Sequence, residues 1–432
     1  PALVLTESGR SSATGAGRPL TLVLSPLIAL MKDQVDGLRA KGIAATFVNS
    51  SLGRREREQR MTALAAGEFD LLYVTPERFR KPEFLELIRR RHIVLLAVDE
   101  AHCISEWGHD FRPDYTRVGE FRTLLGNPLT IALTATATPE VQDDIAAQLG
   151  LQRDEMPMFH DGIDRPNLEL GVLEIWDADE KQEAMQTVFE EWLTPDSSGS
   201  GIVYFTLIRV LEEFSERLQA EGIPHVCYHG DLDRAARKAI QEDFMRGRVR
   251  LVLATNAFGM GVDKEDIRFV VHADIPGSME SYYQEIGRAG RDGLPAECLL
   301  LYDQRDLNTQ MEFLRWSNPD AEFCERTYHL LEHSTEQVRA FGIDWLRERL
   351  CARQRQDRRV ETVLSLLQRY SVIDDEIDLT HLTLHGPLPP ELADPSARDA
   401  KRLRDLKKLH ALVQYVQSDD RRQFIRRYFG VD

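Results

Sequence analysis

Asp99 and Glu100 stand side by side after an apolar run, Ile93 to Val98, and are followed by Ala101 and His102. The run reads as a buried strand, and the carboxyl ends of such strands are where open α/β sheets bind phosphates. Two carboxylates at that point can divide the work of hydrolysing a nucleoside triphosphate. Asp99 can hold the magnesium, and Glu100 can polarise the attacking water. A solvated acidic pair after a strand is written with the same letters, so the box acquires meaning only from partners elsewhere in the chain.

Several stretches offer such partners. Trp107, Phe111 and Arg112 lie in a polar loop broken by Gly108 and Pro113. Aromatic faces there can stack on nucleic-acid bases and Arg112 can pair with a phosphate, or both rings can pin the loop to the core. Leu133 to Pro139 places small hydroxyl residues between a strand and a helix, where they can bond the acidic box. In Ala254 to Lys264, Gly259 and Gly261 flank Met260 and let backbone approach a ligand. The run Ser281 to Gly293 holds Gln284, Arg288 and Arg291. Three residues apart on a helix or helical turn, the two arginines share a face and can act as a fork on a transferring phosphoryl group. An exposed arginine pair is the plain alternative, made less apt by Gln284, Gly287 and Gly290 around it. Gly9 to Gly17 is Gly-rich, but it lacks the Gly-Lys-Ser/Thr ending of a phosphate loop and reads as a surface loop between strands.

Those groups need a scaffold. A chain of 432 residues holds about two to four domains. Apolar runs recur between helical patterns at Leu20–Leu24, Ala45–Val48, Leu71–Val74, Ile93–Val98 and Thr130–Leu133, and again at Gly201–Phe205, His225–Tyr228, Leu251–Ala254, Phe269–His272 and Cys298–Tyr302. Continuous apolar strands alternating with helices predict two tandem α/β domains built on parallel sheets of about five strands. A Pro- and Gly-containing segment, Arg153 to Leu170, is expected to join them. Beyond residue 310 the pattern turns helical, with helices from Ser334–Thr335 to Cys351, Val360 to Tyr370 and Arg398 to Val416, and a short strand pair within Ile377 to Leu384. Leu403, Leu406, Leu409, Val413 and Val416 recur at helical spacing in the last of these. The expected division is 1–152, 153–309 and 310–432, the third part helical with a winged-helix-like arrangement as the candidate.

The net charge of −17 argues against a general polyanion binder but leaves room for a locally basic groove. Of the basic clusters, Arg398 to Lys408 and Arg421 to Arg427, interleaved with Phe424, Tyr428 and Phe429, are the better candidates for nucleic acid, with a solvated helix face as the alternative. The five cysteines show no paired spacing, which points to a reducing compartment and away from a disulfide framework or a zinc site. No run approaches the roughly 20 apolar residues of a membrane span, and no signal peptide is visible. Pro1 to Leu5 reads like the middle of a protein.

Taken in order, the motifs resemble those of the RecQ family of superfamily 2 DNA helicases. They are Ser25 to Gln34, Tyr73 to Arg78, the Asp99-Glu100-Ala101-His102 box, the aromatic loop Trp107 to Pro113, Leu133 to Pro139, Asp164 to Asn167, Tyr228 to Gly230, Ala254 to Lys264 and Tyr282 to Gly293. The resemblance covers about residues 1 to 303. It implies two RecA-like domains that clamp ATP and drive 3′ to 5′ unwinding of single-stranded and forked DNA, with ATP and magnesium as cofactors, in a bacterial-type cytoplasm at the nucleoid. Asp99 would hold magnesium, Glu100 would activate water, and His102 would relay between the ATP site and the aromatic loop. Gln284, Arg288 and Arg291 would face ATP from the second domain, with Gly261 and Asp263 also at the nucleotide. Ser25, Pro26, Lys32, Trp107, Phe111, Arg112, His229, Thr255 and Asn256 would lie at DNA.

Two departures accompany the resemblance. The family's phosphate loop and adenine-recognition motif, expected just before Pro1, are absent, so these 432 residues are expected to hydrolyse little ATP. Truncation of a longer protein is the simplest expectation. At the other end, Arg421-Arg422 and Tyr428-Phe429-Gly430 resemble the start of the family's zinc module, but Asp420 stands where its first cysteine belongs, and no zinc is expected. Rival readings are a DEAH-box RNA helicase, disfavoured by the aromatic loop and the Tyr282-Tyr283-Gln284-Glu285 run, and a catalytically dead DNA-binding or regulatory module.

Overall fold

The computed structural model describes residues 2, 4, 5, 18–105, 113–160, 162–194, 199–259, 262–351, 357–374 and 379–431. The Gly-rich stretch, the aromatic loop residues Trp107, Phe111 and Arg112, and Gly261 lie outside the described residues. The chain divides into two compact units. One is Pro1–Ile163 with Gly259–Asp263 and Arg426–Asp432, and the other is Asp164–Phe258 with Lys264–Ile425.

The first unit is built on strands β1 (Leu20–Leu24), β2 (Ala45–Val48), β3 (Leu71–Val74), β4 (Ile93–Val98) and β5 (Leu129–Ala132), all parallel, in the order β2-β3-β1-β4-β5. β1, β2 and β3 are buried along their whole length. That is why they read as unbroken apolar runs rather than alternating ones. Leu22, Leu24, Leu72, Val74, Leu96 and Val98 share one core with Phe79, Phe84 and Tyr115. Each such side chain contributes roughly 1.5–3 kcal/mol by leaving water. Register matters more for function. Leu24 pairs with Val98, and Val98 with Ala132, so Ser25, Asp99 and Leu133 leave the sheet together at its carboxyl edge.

The second unit carries β6 (Leu168–Glu174), β7 (Ser200–Tyr204), β8 (Val226–Tyr228), β9 (Leu251–Ala254), β10 (Ile267–His272) and β11 (Ala296–Tyr302), parallel and ordered β6-β11-β10-β7-β9-β8. Ten of the eleven strands match the expected runs to within two residues at each end. β6 was not among the expected runs, and only its first three residues fall within the expected joining segment. It is an edge strand with a half-exposed face, so its apolar content is diluted, yet it pairs with β11 from Leu168 to Glu174. In β7, a side chain at Gly201 would run into the Phe269 ring, its Cβ only 1.9 Å from a ring carbon. The missing side chain is what lets β7 and β10 pair there.

The helices after Tyr302, as far as Ile425, fall within the second unit. They run Asp306–Ser317, Ala321–His333, Thr335–Leu350 (broken at Gly342, φ 66°), Arg359–Arg369, Pro390–Ala393, Pro395–Val416 and Arg421–Tyr428. Their core joins Phe323, Leu331, Val338, Leu346, Val363 and Leu367. The strand pair expected within Ile377 to Leu384 is absent among the described residues, where Leu379–His381 forms a single helical turn. No strand occurs among the described residues beyond Tyr302. Leu403, expected on the apolar stripe of its helix, is exposed, and the buried apolar and aromatic positions are Leu409, Ala411, Leu412 and Tyr415. No helix among the described residues is long and apolar enough to cross a membrane.

Candidate nucleotide and phosphoryl-transfer site

At the carboxyl edge of the first sheet, the backbone of the acidic box is held from both sides. Asp99 N–H donates to Leu24 O of β1 at 2.8 Å, and Ala101 N–H donates to Leu133 O beyond β5 at 2.9 Å. Between them Glu100 adopts a left-handed conformation, φ 49° and ψ 48°. A non-glycine residue pays on the order of 1–2 kcal/mol for that backbone, and such strain concentrates where a side chain must be aimed. The Asp99 carboxylate accepts the Ser25 hydroxyl on one oxygen (3.0 Å) and the Glu100 N–H on the other (3.0 Å). Its charge, after burial, pushes the Tyr73 hydroxyl above its ordinary pKa. His102 is buried, with Nδ1 3.0 Å from the Thr134 hydroxyl and 3.3 Å from a Glu100 carboxylate oxygen. The hydroxyl-rich loop after β5 therefore reaches the box through His102 and Ala101.

Ser25 and Lys32, both expected at DNA, each meet a carboxylate. Ser25 is 1% exposed and committed to Asp99, while Pro26 beside it is buried. Lys32 is exposed and pairs with Asp36 at 2.5 Å. On either side of the aromatic loop, Ser105 donates to Asp144, and Asp114 takes a two-pronged bond from Arg80 at 2.6 and 2.9 Å. Tyr115, fully buried, donates to Asp99 O at 3.4 Å.

In the second unit, the helix Met279–Ile286 is capped by Ser278, whose hydroxyl accepts the Ser281 N–H at 3.1 Å. Glu285 bonds His272 Nε2 at 2.7 Å, and the His272 ring lies between those of Tyr204 and Tyr282. The helix ends before the two arginines. They sit on turns, with Gly290 between them at φ 55°. This corrects the expectation of a shared helical face: Arg288 is half-buried and Arg291 is exposed. The Arg288 guanidinium acts on the Tyr204 hydroxyl, offsetting part of the rise that burial imposes on it. Gln284 is half-buried one turn earlier.

What shapes this arginine turn was not foreseen. The Arg165 guanidinium donates to three of its carbonyls, Gly287 (3.3 Å), Ala289 (2.8 Å) and Gly290 (2.8 Å). Asn167 donates to Gly290 O at 2.8 Å and Leu294 O at 2.9 Å. A Cβ on Gly290 would fall 2.4 Å from the Asn167 amide, so the residue is glycine for packing as well as for φ. The signal was present in Asp164-Arg165-Pro166-Asn167, a matching motif to which no role was attached.

Elsewhere on the second sheet, Tyr228 and Ala254 end β8 and β9 in register, which places His229 and Thr255 at the carboxyl edge. Both are buried, and Thr255 N–H donates to Tyr228 O at 3.0 Å. Asn256 is exposed. Asp263, in the first unit, is also exposed. The C-terminal basic clusters are partly turned inward: Arg398 is 7% exposed and donates to Pro319 O, and Arg422 donates to backbone carbonyls.

Comparison with known proteins agrees with this layout. Residues 4–145 match the DEAD/DEAH box helicase model, and residues 180–293 match the helicase conserved C-terminal domain. Among solved structures, Dbp5 of S. cerevisiae bound to RNA and ADP BeF3 aligns with 73% of this chain and 79% of its own, at TM-score 0.53 and 18% identity. The helicase MrfA bound to DNA and AMPPNP aligns with 72% of this chain and 45% of its own, at 0.54 and 17%. The class is thus two parallel-sheet domains resembling RecA-like helicase folds, followed by a helical region.

Sequence relatives narrow it further. The ATP-dependent DNA helicase RecQ of Bacillus subtilis (strain 168) is 45% identical over 71% of this chain and 53% of its own length. The RecQ of Haemophilus influenzae is 43% identical over 66% and 45%. The probable ATP-dependent DNA helicase RecS of B. subtilis is 35% identical over 95% of this chain and 77% of its own length. The chain belongs to the RecQ family of ATP-dependent DNA helicases. It spans about half the length of the two RecQ relatives.

Proposed function

We propose that this chain is the motor portion of an ATP-dependent DNA helicase that moves 3′ to 5′ on single-stranded and forked DNA, in recombination and repair, in the cytoplasm at the nucleoid. The observation that carries the reading is the Asp99–Glu100 box, fixed by two strands at the carboxyl edge of a parallel sheet with Glu100 in a strained conformation. The domains in this reading are 1–152, 153–309 and 310–432.

Asp99 suits magnesium. Its donors are hard carboxylate oxygens, and each keeps an acceptor position beyond its bond to Ser25 or to the Glu100 N–H. A bound magnesium triphosphate would supply the phosphoryl group and neutralise charge on it. The chain's residues do the rest. Glu100 orients and polarises water. His102, touching both Glu100 and Thr134, passes a shift in the carboxylate to the loop after β5. Arg288 and Arg291 supply positive charge as the phosphoryl group transfers, with Gln284 on the helix that precedes them and Gly261 and Asp263 at the nucleotide. Lys32, His229, Thr255, Asn256, Trp107, Phe111 and Arg112 serve DNA, and Ser25 serves Asp99.

No Gly-Lys-Ser/Thr run occurs in the 432 residues, so the chain alone turns over little ATP in this reading. The test compares the chain with a form extended by the coding sequence upstream of it. The extended form should hydrolyse ATP in response to single-stranded DNA and unwind a duplex bearing a 3′ tail but not a 5′ tail. Equal turnover by both forms, or unwinding from the 5′ tail, would overturn the reading.

A further inference from the structure

Arg422 lies on the helix Arg421–Tyr428, far from the arginine turn in sequence. Its guanidinium donates to Arg165 O at 2.9 Å, to Pro166 O at 3.4 Å and to Leu168 O. These are the carbonyls of the segment whose own side chain, Arg165, grips Gly287, Ala289 and Gly290. Two arginines in series therefore connect the C-terminal helix to the turn that carries Arg288. The acceptors are all backbone carbonyls, so the connection fixes the path of the main chain and not merely the pose of one side chain.

A second handhold runs in parallel. Tyr415, on the helix Pro395–Val416, shares a buried hydroxyl–hydroxyl hydrogen bond of 2.9 Å with Tyr282, on the helix that leads into the same turn. Their rings lie 5.0 Å apart, and Phe424 packs edge-on against Tyr415. Lys408, on the same long helix, is pushed below its ordinary pKa by burial and drawn back up by Glu280. The helix Met279–Ile286 and the turn after it are thus gripped at Tyr282 and at Gly287, Ala289 and Gly290 by groups that lie outside the second sheet.

We propose that Arg165 and Arg422 are positioning residues for Arg288 and Arg291, and that the C-terminal helices set the rate of phosphoryl transfer by fixing the arginine turn. The proposal rests on the reading that Arg288 and Arg291 act on the triphosphate. Misplacing a catalytic group by about 1 Å costs on the order of a hundredfold in rate. A lysine at 422 keeps the charge but cannot span three carbonyls, so it should restore only part of the loss.

The test has two arms. In this chain, amide hydrogen exchange is followed in Arg422→Ala, Arg422→Lys and Tyr415→Phe. Exchange at residues 286–294 should quicken most in Arg422→Ala, less in the other two, while β1 and β4 stay as protected as before. In the extended form, Arg422→Ala should lower kcat about tenfold to a hundredfold with KM for ATP within about twofold, and the unchanged protection of β1 and β4 shows that the loss is not a smaller folded fraction. Unchanged exchange at 286–294, or faster exchange with kcat unaltered, would overturn the proposal. If Arg422→Ala does not fold, the lysine and Tyr415→Phe variants decide the matter on folded protein by the same two readouts. Arg291→Ala separates the two claims. Full ATP turnover in that variant sinks the assigned role of the turn, whereas exchange in Arg422→Ala reports on its positioning regardless.

Discussion

The acidic box and the arginine turn take their shapes from different sources. Asp99 and Glu100 are an extension of the sheet: Asp99 N–H continues the β1–β4 ladder, Ala101 N–H closes onto Leu133, and Ser25 leaves the neighbouring strand in register to meet the carboxylate. The arginine turn leaves its helix, passes through a positive-φ glycine and is held by side chains from elsewhere, Arg165 and Asn167. A group fixed by ladder hydrogen bonds moves only if the sheet deforms. One fixed by guanidinium bonds to carbonyls moves when any link in that chain shifts, so the two halves of the chemistry differ in how readily the rest of the protein can tune them.

The largest expected effect falls on the turn. Arg291→Ala in the extended form should lower ATP turnover about a thousandfold or more with little change in stability, because Arg291 is exposed; steady-state kinetics beside a urea melt would expose an ordinary surface arginine by an unchanged rate. The next contrast is in stability. Arg165→Ala takes the guanidinium donor from the Gly287 and Ala289 carbonyls and leaves Gly290 O to Asn167 alone, and should cost about 2–3 kcal/mol, whereas Ser25→Ala removes one hydroxyl bond to Asp99 and should cost about 1 kcal/mol. Equal losses in denaturant titrations would erase the difference between the two regions.

The smallest effect concerns pH and only the second unit. Burial, and then Asp274 beside it, push the Asp306 carboxyl up to about 7, against the pull of Lys181. The folded state therefore holds this proton more tightly than the unfolded chain. The stability it contributes is complete below pH about 4 and is lost as pH rises through 7. Asp306→Asn should flatten that slope and leave the variant more stable than the parent at pH 8 in urea melts. An unaltered slope would place the carboxylate in a more polar setting than its burial implies.

How far the sequence could be read follows the same division. The box was legible because its residues are contiguous and the strand before it is an unbroken apolar run; the structure adds the left-handed Glu100 and the bond from Ser25, neither of which leaves a mark in spacing. Ser25 was placed at DNA by the family resemblance alone, and it is strand register that brings its hydroxyl to Asp99. Arg288 and Arg291 invited a reading on a helix or helical turn by their separation, but the helix stops at Ile286 and Gly290, at positive φ, breaks the pattern between them. β6 was missed because it begins just after Pro166 and, as an edge strand, mixes exposed with half-buried positions rather than forming an unbroken apolar run. The C-terminal basic clusters looked like surface charge, since sequence does not say whether an arginine faces water or a row of carbonyls.

The central claim is that the Asp99–Glu100 box hydrolyses ATP. Its most direct test is the rate of DNA-stimulated hydrolysis by the extended form with Glu100→Gln, measured together with nucleotide binding. The substitution keeps the size of the side chain and removes the charge that polarises water. Turnover should fall roughly a hundredfold to a thousandfold while ATP binds as before. Turnover at the parent's rate, with binding intact, would contradict the role assigned to Glu100 and with it the account of the box.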